Sequence, residues 1–261
     1  MHPDLELAME MADGADELTV RHFRSAELLI DTKPDMTPVT EADRAVEEMV
    51  AERLAFSRPD DSLLGEEFGQ QGTSTRRRWI VDPIDGTKNY IRGIPVFATL
   101  LALEQEGEMV VGVVSAPGLG RRWYAARGEG AFADGERIQV SSIDRIEDAQ
   151  VCHAGIEAWD RIGRAEGILQ LSRRAWRGRG FGDFWQHMLV AQGSAELAVE
   201  PEVNLWDLAA VKVVVEEAGG RFTDLAGVAT ANGGSAVSSN GHLHDVALSL
   251  IGDGAAATGS G

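Results

Sequence analysis

Two aspartates, Asp82 and Asp85, close the apolar stretch of WIVDPIDGTKNY (residues 79–90), with Gly86 and Thr87 directly behind them. Residues of these types do two kinds of work. Aspartate after a strand forms turns, and aspartate ahead of Gly-Thr caps helices. Alternatively, a strand end stiffened by Pro83 points both carboxylates and the Ile84 carbonyl into one small volume. A hard cation such as Mg2+ takes that donor set: oxygen ligands, more than one carboxylate, and room for water and phosphate. Gly86 and Thr87 would then present N–H groups at a helix start, where unpaired donors and the helix dipole favour a phosphate.

Other acids carry the same ambiguity. Asp43 follows Thr40 at the spacing of a capping box, yet it shares a helix face with Val46 and Val50. A carboxylate at the end of a buried stripe is costly unless it is paired or binds a cation. Asp207 repeats the arrangement behind Asn204, with Val211, Val214 and Ala218 continuing its face. Glu66 and Glu67 follow the apolar pair Leu63-Leu64, and a solvated acidic loop accounts for Glu67. Together the acids point to a candidate Mg2+–phosphate site.

Positioning these residues falls to the elements around them. Leu5, Ala8, Ala12, Ala15 and Leu18 have helical spacing and predict an amphipathic N-terminal helix. Residues 31–39, with two prolines, read as a loop, and a second helix runs from near Thr40 to about Leu54. Ser62-Leu63-Leu64 is a short apolar run. Residues 96–140 read as antiparallel sheet: two strands joined at Glu106–Glu108, then shorter ones with glycine turns, Ile138–Ser141 included. GEGAFA (128–133) matches a loose dinucleotide fingerprint, but Asp134-Gly135 and no helix follow, so it reads as a hairpin. Beyond 141 come a helix over roughly 157–174, another through FGDFWQHMLVAQG ended by Gly193, and a strand in AELAVE. A helix from Asn204 to Glu217 then stops at Gly219-Gly220. NGHLHD (240–245) is a loop entering the last helix. Trp176, Phe181, Phe184 and Trp185 read as core or as the wall of a pocket. Residues 1–141 and 142–251 are expected as two halves of one site, with 252–261 a flexible tail.

Composition narrows the function. With 42 acids against 24 bases the formal charge is −18, which repels phosphate backbones and anionic lipid. A nucleic-acid or membrane surface is therefore not expected. A small anionic substrate remains open, because bound cations invert the local charge. The single cysteine, Cys152, permits no intrachain disulfide and no cysteine zinc site. The first residues carry acids rather than a basic leader, and no run approaches the ~18 apolar residues that span a bilayer. A cytoplasmic protein is expected. No HExxH helix, GxxxxGK loop or GxSxG elbow is present.

GEE at 65–67, WIVDPIDGT-x-N-aromatic from 79, and WD-x-AA from 206 with EAGG at 217–220 stand in a known order and spacing. VTEAD (39–43) and LVAQG (189–193) fit the same scheme. Over residues 33–220 the chain resembles the inositol monophosphatase family, the Mg2+-dependent, lithium-sensitive phosphomonoesterases. The resemblance implies an α/β fold, a layered α/β/α/β/α sandwich with mostly antiparallel sheets, and commonly a homodimer. It implies a first metal site at Glu66, Asp82 and the Ile84 carbonyl, and a second at Asp82, Asp85 and Asp207. Asp43 would help hold a third, weaker Mg2+ through water, and Lys33 matches a lysine near the entrance. Thr87 with Glu66 would orient a metal-activated water that attacks phosphorus held at Asp85, Gly86 and Thr87, with no covalent phosphoenzyme.

At one point the chain departs from the inositol phosphatases. They carry G-T-A-A or G-S-A-A ahead of the LVA helix, where this chain has Gly182-Asp183-Phe184. That variant, with DGTKN and RRWYAARGEGAF, resembles the histidinol-phosphate phosphatases of actinobacterial type. L-histidinol phosphate is then the expected substrate, with Asp183 and Glu200 taking its ammonium and imidazole. Asp183 as a helix N-cap is the competing account. An inositol-1-phosphate phosphatase is the alternative enzyme, and a non-catalytic metal-binding protein of the same fold the alternative class. A bisphosphate nucleotidase fits less well, since its longer insertions are lacking.

Overall fold

Apolar side chains recurring every third or fourth residue wind Pro3–His22 into helix α1, with Leu5, Ala8, Met11, Ala12 and Ala15 buried along one stripe. The structure, a computed structural model, describes residues 2–25, 29–32 and 38–256. Lys33 and residues 257–261 lie outside the described residues. Strands β1 (Ile30–Thr32) and β2 (Pro38–Thr40) pair antiparallel. The stretch expected as loop therefore begins and ends in extended ribbon, its Pro38 at the strand start where a missing N–H is tolerated. Next come α2 (Glu41–Ser57), β3 (Ser62–Gly65), β4 (Gly69–Gln71), β5 (Arg77–Asp85), α3 (Thr87–Ile91), β6 (Ala98–Gln105) and β7 (Glu108–Ala116). Strands β8 (Arg121–Ala126), β9 (Gly130–Ala133) and β10 (Glu136–Arg137) complete the first sheet. The remainder is β11 (Gln150–His153), α4 (Ile156–Arg161), α5 (Ala165–Arg174), β12 (Arg177–Arg179), α6 (Asp183–Ala191) and β13 (Leu197–Glu200). Helix α7 (Leu205–Glu217), β14 (Arg221–Thr223), β15 (Ala236–Ser239) and α8 (His244–Ala256) end it.

The first sheet has the order β10-β9-β8-β7-β6-β5-β3-β4, antiparallel except for β3 beside β5. The second, β12-β11-β13-β15-β14, is parallel only where β11 meets β12 and β13. Alternation along the strands gives each sheet two apolar faces. Trp79, Val81, Leu101 and Leu103 pack under α1 and α2, while Ile80, Leu100 and Ala102 face α6 and α7. On the second sheet, Val151, Leu197, Val199 and Val237 meet α4, α5 and α8, and Cys152 and Ala198 meet α6. The layers are α/β/α/β/α, as the resemblance implies. Helix α7, between the sheets, is apolar on nearly every side: Leu208, Ala209, Val211, Val213, Val214 and Val215 are all buried.

Several local expectations change. The helix expected over 157–174 is two, because Gly163 at φ +71° ends α4. Its N–H reaches Asp160 O and that of Arg164 reaches Trp159 O, the paired bonds of a Schellman turn. GEGAFA does enter a hairpin, turning through Asp134 and Gly135, both at positive φ. Ile138–Ser141 is not a strand. Of the aromatic cluster, Phe184 is core, Phe181 packs against Trp185 with the rings tilted at 45°, and Trp176 is exposed. Helix α8 extends to Ala256, into the segment expected as tail. Among the described residues no helix is long and apolar enough to cross a membrane.

Candidate active site

In a flat strand, residues three apart face opposite sides of the sheet. Asp82 and Asp85 avoid that separation because the β5–β6 register slips between them, Asp82 pairing with Leu100 and Asp85 with Ala98. Two residues, Pro83 and Ile84, oppose one, Thr99, a bulge. Pro83, which has no ladder N–H to lose, sits inside it, and its carbonyl accepts the Thr99 hydroxyl at 2.7 Å. Both carboxylates then meet Asp207 from the first turn of α7. One ligand oxygen from each of the three lies within 4.8 Å of the others.

The two capping boxes form. Asp207 accepts the Asn204 N–H at 2.7 Å, and Asp43 accepts the Thr40 N–H at 2.8 Å and its hydroxyl at 2.6 Å. Asp85, however, does not cap α3, where Gly86 holds the cap position at φ +81°. Its Oδ2 crosses to α6 and accepts the Phe184 N–H at 2.6 Å. Gly86 is needed on two counts, since a Cβ there would also stand 2.9 Å from the Val96 carbonyl. The Thr87 hydroxyl donates to the Ile84 carbonyl at 2.9 Å, joining two groups expected in the site.

The donors suit a divalent cation. Asp82 is 2% exposed, and its Oδ1 has no hydrogen-bond partner. Burial, then the charges of Glu66, Asp85 and Asp207, hold its carboxyl well above the usual range. Burial, Asp183 and Asp207 do the same to Asp85. Burial likewise raises Asp207 to about 6. Oxygen donors crowded this way either keep protons or share a cation, and a hard one fits them. Glu66, half-buried at the β3–β4 turn, acts on Asp82 and on Asp207, and the charges of Glu67 and Glu66 act on Asp43. Burial raises Asp43 to about 7.

These shifts predict an unusual pH dependence for the metal-free chain. Folded values of about 6 for Asp207 and about 7 for Asp43 lie above the ~3.9 of an unfolded aspartate. Their contribution to stability is complete below about pH 4 and is lost as pH rises through those folded values. Melting with a chelator should fall between about pH 4 and pH 7, and millimolar Mg2+ should remove most of that fall. A metal-free melting temperature that rises over the same window would contradict the crowded-carboxylate picture.

A cleft of about 340 Å³ opens beside the three aspartates. Among the described residues six carboxylates line it (Asp85, Glu157, Asp183, Glu200, Glu202 and Asp207), against one ammonium, Lys88. Asp183 does not cap α6: it is the first helical residue, at φ +52°, and its Oδ2 accepts the Asn89 amide at 3.2 Å. Burial raises its pKa, with Lys88 opposing. Glu200 is 6% exposed and raised well above its ordinary value by burial, Asp183 and Asp207; Gln186 donates to its Oε1 at 2.7 Å. Asp82, Asp85 and Asp207 thus come together, Asp183 and Glu200 line the cleft with Asp85 and Asp207, and Lys33 lies outside the described residues.

Lys88, Gln186 and His187 were not anticipated. His187 lines the cleft, nearly fully buried; burial lowers its pKa to about 3, and the Ser238 hydroxyl lies 2.7 Å from Nδ1. Its only sequence signal is a position one helical turn after Asp183.

Comparison with known proteins agrees with this architecture. Residues 1–254 match the model of the Inositol monophosphatase family. A histidinol-phosphatase of Mycobacterium tuberculosis is 54% identical over 96% of this chain and 98% of its own. One from Streptomyces coelicolor is 49% identical over 95% and 96%. The solved structure of an inositol monophosphatase from Zymomonas mobilis superposes with a TM-score of 0.85 at 30% identity, over 95% of this chain and 97% of that one.

Proposed function

The chain belongs to the inositol monophosphatase family and is a metal-dependent phosphomonoesterase of that fold, and we propose that its substrate is L-histidinol phosphate. The observation that carries the choice is the cleft wall. Half-buried Asp183 and buried Glu200 offer two carboxylates to the organic half of a phosphate ester, with Lys88 the only ammonium lining the cleft among the described residues. Histidinol offers an ammonium and an imidazole to pair with them, and a polyol offers neither. The two histidinol-phosphatase relatives support the same substrate.

In this proposal Glu66, Asp82, the Ile84 carbonyl, Asp85 and Asp207 hold Mg2+, two ions or three, with Asp43 supporting the third through water. Bound there, Mg2+ would lower the pKa of water and neutralise charge developing on phosphate oxygens and leaving alkoxide. Gly86 and Thr87 orient the phosphate with their N–H groups. Thr87 and Glu66 align the attacking water, and Glu66 receives its proton. Asp183 and Glu200 fix the cationic end, so that the scissile bond lies in line with the water. We also propose a cytoplasmic homodimer acting on small phosphate esters and not on nucleic acid.

The test is Mg2+-dependent phosphate release from histidinol phosphate, inositol 1-phosphate, fructose 1,6-bisphosphate and 3′-phosphoadenosine 5′-phosphate, side by side. Histidinol phosphate should exceed the others in kcat/KM by roughly 100-fold or more, the worth of two charge-assisted contacts. Preference for inositol 1-phosphate would install the alternative, which the family resemblance supports. No release from any ester would leave a non-catalytic metal-binding protein.

A further inference from the structure

Glu47 is fully buried, yet neither the metal cluster nor the cleft includes it. It lies one turn after Asp43 on α2, among Val46 and Val50, where an apolar residue would pack more cheaply. Its carboxylate instead leaves the helix for the turn between β3 and β4. Gly65 pairs with Gly69, so the turn consists of Glu66, Glu67 and Phe68. Glu47 Oε2 accepts the Glu67 N–H at 2.8 Å, and Oε1 accepts the Phe68 N–H at 2.9 Å. The room for this comes from Gly65: a Cβ there would overlap the Glu47 carboxylate.

The arrangement is costly. Burial and the charges of Glu67 and Glu66 disfavour the Glu47 carboxylate, and the two amides favour it. A hydrophobic pair would join α2 to the sheet without such opposition. What the carboxylate adds is direction, since two charge-assisted bonds to successive amides fix the orientation of the turn as well as its distance from α2.

We propose that Glu47 is a positioning residue for the metal centre. By tying α2, which carries Asp43, to the turn that carries Glu66, it sets where Glu66 stands relative to Asp82. The inference rests on the reading of Glu66 as a metal ligand.

Calorimetric titration of Mg2+ into metal-stripped protein, with melting curves alongside, tests both layers. The samples are the unaltered chain, Glu47→Gln, Gly65→Ala, their double variant and Glu66→Gln. Glutamine keeps the shape of Glu47 but turns an NH2 toward one of the amides. The Gly65→Ala methyl displaces the carboxylate from the other side. Each single variant should bind Mg2+ roughly 10- to 100-fold more weakly, the usual effect of losing support behind a ligand. The double variant should bind no more weakly than the weaker single, because both changes remove one contact. A folded Glu47→Gln that melts lower but binds Mg2+ with unchanged affinity overturns the proposal, leaving Glu47 a fastener for the turn. Should Glu47→Gln not fold, Gly65→Ala decides by the same comparison. If Glu66→Gln binds Mg2+ as the unaltered chain does, the ligand reading fails, and the inference with it.

Discussion

Asp85→Asn is expected to lower kcat/KM by roughly 1000-fold or more while the protein stays folded. The carboxylate belongs to the three-aspartate cluster, and losing one charged ligand forfeits several kcal/mol of transition-state stabilisation. Its second task survives the change. Asparagine retains an oxygen that can accept the Phe184 N–H now bonded at 2.6 Å, so the start of α6 remains capped. Burial and the charges of Asp183 and Asp207 oppose ionisation of Asp85, so removing its charge relieves repulsion in the metal-free state. Melting with a chelator should therefore match or exceed that of the unaltered chain, and kcat/KM at saturating Mg2+ should collapse. Activity within tenfold of normal would reduce Asp85 to a cap for α6.

The second large effect separates substrates rather than abolishing turnover. Asp183→Asn should cost roughly 10- to 100-fold in kcat/KM for histidinol phosphate, the worth of a hydrogen bond to a charged group. For an aryl phosphate, which has no cation to pair, the loss should be under about threefold. Asparagine is the better replacement because Asp183 sits at φ +52°, a conformation asparagine tolerates and alanine resists. It can also keep the contact with the Asn89 amide. Measuring both substrates on one preparation removes differences in active fraction. Equal losses would mean that Asp183 shapes the β5–α6 junction and reads no substrate.

Capping boxes were legible in the sequence because they are local. Thr40 with Asp43 and Asn204 with Asp207 each close within one turn, so spacing alone predicts them. The competing caps at Asp85 and Asp183 were equally reasonable locally and did not form. Asp85 is drawn to an amide on α6, 99 residues away in sequence, and Asp183 to Asn89, 94 residues away. Such partners are chosen by the packing of α6 against the first sheet. The break at Gly163 was visible as a glycine, but only its positive φ showed that it ends a helix. Glu47 had a signal too, an acid inside an apolar stripe; its meaning depended on a turn twenty residues away.

By itself the sequence determined the chemistry of the donors. Aspartates, a glutamate and a Gly-Thr pair in this order supply oxygen donors and backbone amides suited to a cation and a phosphate, and the motif order specifies the family. Only the tertiary structure decided that they meet. A strand carries Asp82 and Asp85 to opposite faces until a bulge absorbs one residue, and helix α7 must lie between two sheets before Asp207 can join them. Side-chain chemistry is a property of each residue, whereas convergence depends on register and layer packing, which no short stretch of chain contains.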